Sequence, residues 1–321
     1  MSDTVIVTGS SGYIGGQTVL QLKDAGHRVI GIDIRPAPDN IKKVLDQFYQ
    51  SDFSDTSSLD LIVASKASAI VHCAGTSLVG PSVRDPELYY ENNFVRTKRL
   101  LDAVVANKSP MRVIFSSSAA VYGDPIMCPC QEEDPPLPIS PYGESKHMVE
   151  LLLQSYQRAY GLDFIAFRYF NAAGADPRNR HGYVQETYSH LVPILARCFG
   201  KDLPFTVFGN DYNTEDGTCI RDYTHVYDIA EAHIAAIDYL NINGTHQAFN
   251  IGKGKGESIL DVINAFSEYT GKEIQYTYGE RREGDPSKTF ADITLAINEL
   301  LWFPKYTLAD IVEHAYKWEN R

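Results

Sequence analysis

The chain has 321 residues, 44% hydrophobic and 22% charged, enough for one large or two ordinary domains with a sizeable core. A net charge of −12 argues against a nucleic-acid partner, whose phosphates need a basic face, but leaves room for an anionic substrate gripped by a few arginines in one cleft. The five cysteines (73, 128, 130, 198 and 219) are odd in number and scattered. Cys128-Pro129-Cys130 is too close for an ordinary disulfide and lacks the second pair of a zinc site, so no metal is expected. A strand-like run directly after Met1-Ser2-Asp3, with no signal-peptide pattern and no apolar stretch of roughly 18 residues, predicts a reduced, soluble, cytoplasmic protein with no membrane partner.

Thr4–Thr8 is a short β-branched run. Gly9-Ser10-Ser11-Gly12-Tyr13-Ile14-Gly15 follows, then a helical pattern through Val19, Leu20, Leu22 and Ala25, Gly26, and a second strand over Arg28–Asp33. This strand–glycine turn–helix–strand unit of about 30 residues is the setting a dinucleotide fingerprint requires. In it Gly9 permits the tight turn, Gly12 lets backbone N–H groups approach a pyrophosphate, and Gly15 lets helix and strand pack closely. The diphosphate then lies at the positive end of the helix. Asp33 ends the second strand, where a carboxylate accepts from ribose hydroxyls and repels a 2′-phosphate. The predicted cofactor is therefore NAD rather than NADP, with Arg35 the opposing signal.

The alternation continues with a strand at Phe48–Ser51, after which Asp52 and Phe53 are placed to flank an adenine. Leu59–Ser65 reads as helix and Ala69–Cys73 as strand, with Ala74-Gly75 a second close backbone approach. A long helix is predicted over Glu87–Asn107, a strand over Arg112–Ser116 running into Ser117-Ser118, and a strand over Asp163–Phe167. Strands alternating with helices predict an α/β fold with a doubly wound parallel (Rossmann) sheet. Ligands then sit at the carboxyl ends of the strands, where Gly9, Ala74, Ser118 and Asn171 fall. Beyond Asn171-Ala172-Ala173-Gly174 the character shifts. Asp176–Gln185 is a polar loop, Tyr188–Phe199 helical, Phe205–Phe208 strand-like and Gly209–Gly217 a turn-rich loop. Glu257–Tyr269 and Thr307–Trp318 are amphipathic helices, the latter opening with a capping box of Thr307 and Asp310. The expected division is a cofactor domain over residues 1–171 and a smaller α+β substrate domain over 172–321. Val226–Leu240 and Ala248–Ile251 are expected to pack back on the first sheet.

One further helix carries a candidate base. Pro141 suits its first turn, because the missing N–H would be unpaired there anyway. Apolar residues recur at Met148, Val149, Leu152 and Leu153, so it runs on to Tyr160. Tyr142 and Lys146 are four apart and share one face. A tyrosine ionises near pH 10, so making it a base at neutrality takes about 4 kcal/mol, which a neighbouring positive charge can help supply.

Gly9-x-x-Gly12-x-x-Gly15, Ser118 and Tyr142-x-x-x-Lys146 together resemble the extended short-chain dehydrogenase/reductase family. Ser116–Gly123, Arg168-Tyr169-Phe170-Asn171, Phe208-Gly209-Asn210-Asp211, Asp216–Tyr223 and Arg282-Glu283-Gly284-Asp285 narrow the resemblance to its UDP-glucose 4-epimerase branch, over essentially the whole chain. The resemblance implies an NAD-dependent isomerase that inverts C4 of a UDP-hexose through a 4-keto sugar. Tyr142 would be the base at the 4-hydroxyl, Lys146 the residue that holds the nicotinamide ribose and lowers the phenol pKa, and Ser118 a hydrogen-bond partner of the 4-oxygen. It extends the cofactor set to Tyr13, Ile14, Cys73, Asn92, Ser116 and Tyr169. It implies diphosphate contacts from Arg221 and Arg282, a uridine-ribose contact from Asp285, and walls around uracil from Leu191 and Phe208. Phe170, Asn171, His190, Thr206 and Tyr223 complete the implied UDP-sugar site, and a homodimer is implied through the two long helices.

Two departures stand out. Thr76-Ser77 replaces a Leu-Lys whose lysine reaches the cofactor, and Thr289 replaces a bulky tyrosine that restricts the sugar pocket to hexoses. UDP-N-acetylglucosamine and UDP-pentose epimerases therefore remain alternatives. Dehydratases and decarboxylases of the same fold carry acidic residues where this chain has Ala119 and Ala120, and a non-catalytic NAD-binding protein would not need Ser118, Tyr142 and Lys146 intact.

Overall fold

In a computed structural model, which describes residues 3–106, 111–184, 188–244, 247–282 and 284–321, the first β-branched run forms β1 (Thr4–Thr8) at the middle of a parallel sheet. The other strands are β2 (Arg28–Asp33), β3 (Gln47–Gln50), β4 (Ala69–His72), β5 (Arg112–Ser118), β6 (Phe164–Tyr169) and β7 (Gln247–Ile251). Their spatial order is β7-β6-β5-β4-β1-β2-β3, and every neighbouring pair is parallel. The order reverses beside β1, so a crevice opens at the carboxyl ends of β1 and β4.

Side chains alternate across the sheet. Val5 and Val7 join a core with Val19 and Leu22 of the helix Tyr13–Asp24 and Ile229 and Ile237 of the helix Val226–Asn243. Ile6 and Ile30 face the other way, onto Leu100 and Leu101 of Arg96–Ala106 and Val149 and Leu153 of Pro141–Tyr160. Both faces are covered, which is why β6 is buried along its whole length, Arg168 included; it extends to Tyr169, beyond the predicted end at Phe167. As expected, β7 returns to this sheet beside β6. The division expected between residues 171 and 172 falls inside a short strand, Asn171–Ala173, that pairs in parallel with Tyr223–His225. A separate core of Val192, Phe199, Val262, Phe266 and Ile311 joins the helices Leu191–Lys201, Ile259–Thr270 and Leu308–Glu319.

Several expected elements differ in detail. The helix expected over Glu87–Asn107 is interrupted: Pro86–Tyr89 and Arg96–Ala106 are α-helical, but Tyr90–Val95 forms a π-helical turn, and Asn107 lies outside the described residues. The end of the polar loop, Gln185, and Glu283 of the last motif also lie outside them. The helix expected from Tyr188 begins at Leu191, and the one expected from Glu257 begins at Ile259, after Glu257–Ser258 pairs antiparallel with Ile220–Arg221. Tyr276–Gly279, which pairs with Phe205–Phe208, escaped the periodicity reading because it is mostly exposed and so lacks an apolar alternation. The capping box of Thr307 and Asp310 is present.

A buried ion pair ties the Tyr142 helix to the sheet. Glu150 accepts from Arg168 Nε at 3.1 Å and Nη2 at 2.8 Å, and from Ser117 Oγ at 2.5 Å. Arg168 Nη1 also donates to Tyr122 Oη at 2.9 Å, and Tyr122 donates to Asn250 Oδ1 at 2.7 Å. Burial alone would raise the Glu150 pKa, but His147, 3.7 Å away, and Arg168 more than offset it and hold the carboxyl below its ordinary value. A carboxyl with a lowered folded pKa contributes stability above its unfolded pKa of about 4.3, and that contribution is lost as the pH falls through the folded pKa. Removing one partner strands the other. Glu150→Ala is therefore expected to lower the unfolding free energy at neutral pH by about 3 kcal/mol, read as a lower urea midpoint. The deficit should shrink as the pH is taken below 4.

Candidate functional site

The glycine turn is built by contacts that admit no side chain. Gly9 has φ +71°, donates to Ile32 O at 2.8 Å, and a Cβ there would meet Ala74 N at 2.7 Å. A Cβ on Gly15 would collide with the Gly9 carbonyl. The helix Tyr13–Asp24 thus starts tight against β1. Its N-cap, Gly12, offers no side-chain acceptor, and its first turn holds no acidic residue. The positive helix end is left for an anion, as a dinucleotide diphosphate requires.

This helix end opens on a cavity of about 540 Å³ that runs along the carboxyl ends of the strands. Every residue expected against the cofactor lines it, from Gly9 and Asp33 at one end to Tyr142, Lys146 and Tyr169 at the other. Asp33 is buried, and its carboxylate accepts from Ser11 N at 2.9 Å and Arg35 N at 2.8 Å, which fixes it and leaves lone pairs for ribose hydroxyls. The Arg35 side chain is half exposed, with Nε 3.7 Å from the same carboxylate. These features fit an NAD: glycine-tight backbone and an uncapped helix for the diphosphate, and a fixed carboxylate for the ribose.

Sequence reasoning missed part of this wall. Arg96 donates to Asp52 at 2.6 Å and lines the cavity. Leu78 and Tyr183 line it too, as do Thr76 and Ser77, already singled out where a cofactor lysine is replaced. The Thr76 loop is held by the π-helical turn: Asn92 donates to Thr76 Oγ1 at 3.0 Å, while Asn93 accepts from Thr76 N at 2.7 Å and donates to Ser145 Oγ at 3.0 Å. A regular helix would turn these two adjacent asparagines differently; the resemblance named Asn92, but the expected helix gave no signal for Asn93.

The Tyr142 helix begins as predicted, with Pro141 in its first turn and Ser140 Oγ accepting from Gly143 N at 3.2 Å. Tyr142 is 9% exposed and Lys146 5%. Lys146 Nζ lies 5.9 Å from the Tyr142 ring centroid and 4.9 Å from that of Phe115, and donates to Ser116 O at 2.9 Å. Burial pulls the Lys146 pKa down to about 8. Burial also raises the Tyr142 pKa above its ordinary value, partly opposed by the Ser118 hydroxyl. Behind them a chain of hydroxyls reaches into the sheet: Tyr169 Oη sits 3.2 Å from Ser116 Oγ and 2.6 Å from His233 Nε2.

At Asn171, Ala172 and His190 the large cavity meets a second of about 180 Å³. Leu191, Thr206, Phe208, Arg221, Tyr223, Arg282 and Asp285 line this second cavity, as expected of a substrate site, and Ser118 and Phe170 line the first. Arg282 stacks its guanidinium 4.2 Å from the Phe208 ring centroid. Arg221 donates to Ile220 O at 2.8 Å and to Asp285 at 3.4 Å, so two guanidinium groups face one small cavity. His190 is held neutral at physiological pH, because burial lowers its pKa. It takes part as a polar N-cap residue whose Nδ1 is 3.0 Å from Ser189 Oγ. Thr289, expected as a gate, lines neither cavity; it is buried in a two-residue strand opposite Arg221. Among the described residues no group of acidic, histidine or cysteine side chains could hold a metal ion, and no helix is long and apolar enough to cross a membrane.

Comparison with known proteins agrees with this geometry. Residues 5–252 match the model of the NAD dependent epimerase/dehydratase family. A UDP-glucose 4-epimerase of Halalkalibacterium halodurans is 42% identical over 98% of this chain and 95% of its own length. The structure is similar to a UDP-glucose 4-epimerase from Brucella ovis in complex with NAD (TM-score 0.94, 36% identity, 99% of both chains). It is also similar to one from Bifidobacterium longum in complex with NAD+ and UDP (TM-score 0.92, 34% identity, 98% of this chain and 97% of that one). The likeness runs over nearly the whole length of these proteins, and the chain belongs to the NAD dependent epimerase/dehydratase family.

Proposed function

We propose that the chain is a UDP-glucose/UDP-galactose 4-epimerase that uses NAD. The observation that carries this reading is the placement of Tyr142 and Lys146. They are buried in the cofactor cavity, near where it joins a cavity bearing Arg221 and Arg282. When bound along the cavity of the glycine turn, Asp33 and Lys146, NAD would supply hydride-transfer chemistry at C4 of the sugar. The protein's own part is to hold the nucleotide, to move one proton, and to leave the sugar free to turn over.

Arg221 and Arg282 grip the diphosphate with their guanidinium forks, Asp285 accepts from the uridine ribose, and Leu191 and Phe208 flank the uracil. Thr206, Tyr223, His190, Phe170 and Asn171 complete the wall between nucleotide and sugar. Tyr142 Oη takes the 4-hydroxyl proton as C4 is oxidised and gives it back on reduction. The Ser118 hydroxyl bonds the 4-oxygen. Lys146 orients the cofactor ribose and places positive charge near the phenol, which favours its ionised form. A 4-keto sugar, held only through its diphosphate, can then present its other face to the returning hydride. Because the hydride returns, no net NADH forms. Ala119 and Ala120 offer no acid or base for elimination across C5 and C6, which favours epimerisation over dehydration.

The test is purified protein supplied with UDP-galactose, the products being separated by chromatography. The expected result is conversion to UDP-glucose with no net NADH, and Tyr142→Phe should lower turnover by about a hundredfold or more while leaving UDP and NAD binding within about twofold. Near-normal turnover in that variant would remove Tyr142 from the mechanism. We also infer a homodimer formed by the helices around Pro86–Ala106 and Pro141–Tyr160, because Leu88 and Leu151 are large apolar groups exposed on them. Sedimentation should give twice the chain mass for the native protein and a monomer for Leu151→Glu; a native monomer contradicts the pairing.

A further inference from the structure

The Cys128-Pro129-Cys130 segment takes no part in the reaction above, yet it is fastened to the substrate side of the site. The two sulfurs lie 4.0 Å apart. Cys128 is half-buried and its Sγ donates to Lys288 O at 3.4 Å, whereas Cys130 is fully buried against Val121, Tyr122, Phe170 and Ala291. Backbone bonds clamp the segment: Cys130 N donates to Phe290 O, and Asp292 N donates to Cys130 O, both at 2.8 Å. The residues just before Phe290, Lys288–Thr289, pair with Ile220–Arg221, with Thr289 directly opposite Arg221. Asp222 N donates to Thr289 O at 3.2 Å. One short stretch of chain therefore touches the thiol pair on one side and the Arg221 strand on the other.

The two thiols are chemically unequal. A thiol neighbour, and more distantly the Arg221 charge, hold Cys128 below the ordinary thiol pKa, while the same contact and burial raise Cys130. Cys73, Cys198 and Cys219 are all raised by burial. Among the five, Cys128 is thus the thiol with the largest thiolate fraction at neutral pH, and it is solvent-accessible and beside a second thiol.

We propose that Cys128 and Cys130 form a peroxide-reactive dithiol, with Cys128 the attacking and Cys130 the resolving sulfur, whose disulfide loosens the Arg221 side of the substrate site. In the first step the Cys128 thiolate attacks one oxygen of hydrogen peroxide. An S–O bond forms, the O–O bond breaks, and the other oxygen leaves as hydroxide, which takes a proton to become water. In the second step Cys130 sulfur displaces the hydroxyl from the Cys128 sulfenic acid, its thiol proton leaving with that hydroxyl as a second water. Two thiols are oxidised by two electrons in total and one peroxide is reduced. Across a single intervening residue this is not an ordinary disulfide: its sulfurs must close from 4.0 Å to about 2.05 Å, about 2 Å of movement that the surrounding chain has to absorb. Cys130 is clamped at both ends and packed on Phe170, so the movement falls on Cys128 and breaks its bond to Lys288 O. That frees the Lys288 carbonyl and loosens the short strand paired with Arg221's.

The experiment uses the full-length protein, reduced and then treated with hydrogen peroxide. The peptide containing both cysteines should lose two hydrogens by mass and resist alkylation until a reductant is added. Calorimetry with UDP should show several-fold weaker binding after peroxide, restored by the reductant. Cys128→Ser should form no cross-link and keep its UDP affinity through the treatment, and Cys130→Ser should stop at a Cys128 sulfenic acid that a dimedone probe traps. Two free thiols after peroxide, or Cys128 passing to sulfinic acid in the native protein, would overturn the proposal. A disulfide with unchanged UDP affinity would overturn its link to the site. The effect on UDP rests on the epimerase reading, but the mass measurement does not. Reduced protein that fails to bind UDP would contradict the role given to Arg221 and leave the thiol chemistry to be decided by mass alone.

Discussion

Burial sets the terms on which Tyr142 can act. Removing an ammonium and a phenol from water disfavours the charged form of each, so Lys146 is drawn down to about 8 and Tyr142 is pushed up. Left to these two groups alone, the proton stays on the phenol. The phenolate therefore depends on positive charge assembled around it, and Lys146 supplies part of it while the Ser118 hydroxyl offers a hydrogen bond. Bound NAD, whose nicotinamide ring is cationic, adds to that charge. The arrangement couples the strength of the base to the seating of its cofactor, because each pKa unit by which the phenol is lowered is about 1.4 kcal/mol of electrostatic stabilisation.

The rest of the fold holds that pair at one place on a rigid frame. Lys146 is fixed by the Ser116 carbonyl at the end of β5, and one turn further on Glu150 is fixed by Arg168 of β6 and Ser117 of β5. Asn93 reaches from the π-helical turn to Ser145 on the same helix and to the loop at Thr76. Three neighbouring elements thus grip the helix within a few residues of Tyr142. The nucleotide side is assembled differently, from a loop, two short strands and a helix end. Its arginines have few braces: Arg282 stacks on the Phe208 ring, and Arg221 donates to Ile220 and Asp285. Under the proposed function, a firmly held Tyr142–Lys146 pair beside a less braced pair of arginines suits a reaction whose intermediate must turn over inside the site.

Much of this was legible in the residues themselves. The glycine spacing, the β-branched run before it and Asp33 after it are local signals, and each carries its own steric or electrostatic reason. The start of the Tyr142 helix was readable because Ser140 and Pro141 act within one turn. What could not be read was set by tertiary contact. The π-helical turn at Tyr90–Val95 leaves no mark in apolar spacing, yet it aims Asn92 and Asn93. Nothing local to Arg96 marks its partner, Asp52, which lies more than forty residues away in the chain. The exposed strand Tyr276–Gly279 had no buried face to produce an alternation. Thr289 shows the limit of reasoning by position: its place in the chain suggested a gate, and the fold buries it in the strand beside Arg221's, outside both cavities.

The most direct test of the account is an ultraviolet titration of the Tyr142 phenolate, taken as the difference between the native protein and Tyr142→Phe, with and without NAD. The account predicts a phenolate signal present only in the native protein, with a midpoint above 10 without NAD that moves to lower pH by one unit or more when NAD is bound. A midpoint that stays where it is when the cofactor binds would contradict the claim that Tyr142 is made a base by the charge gathered around it.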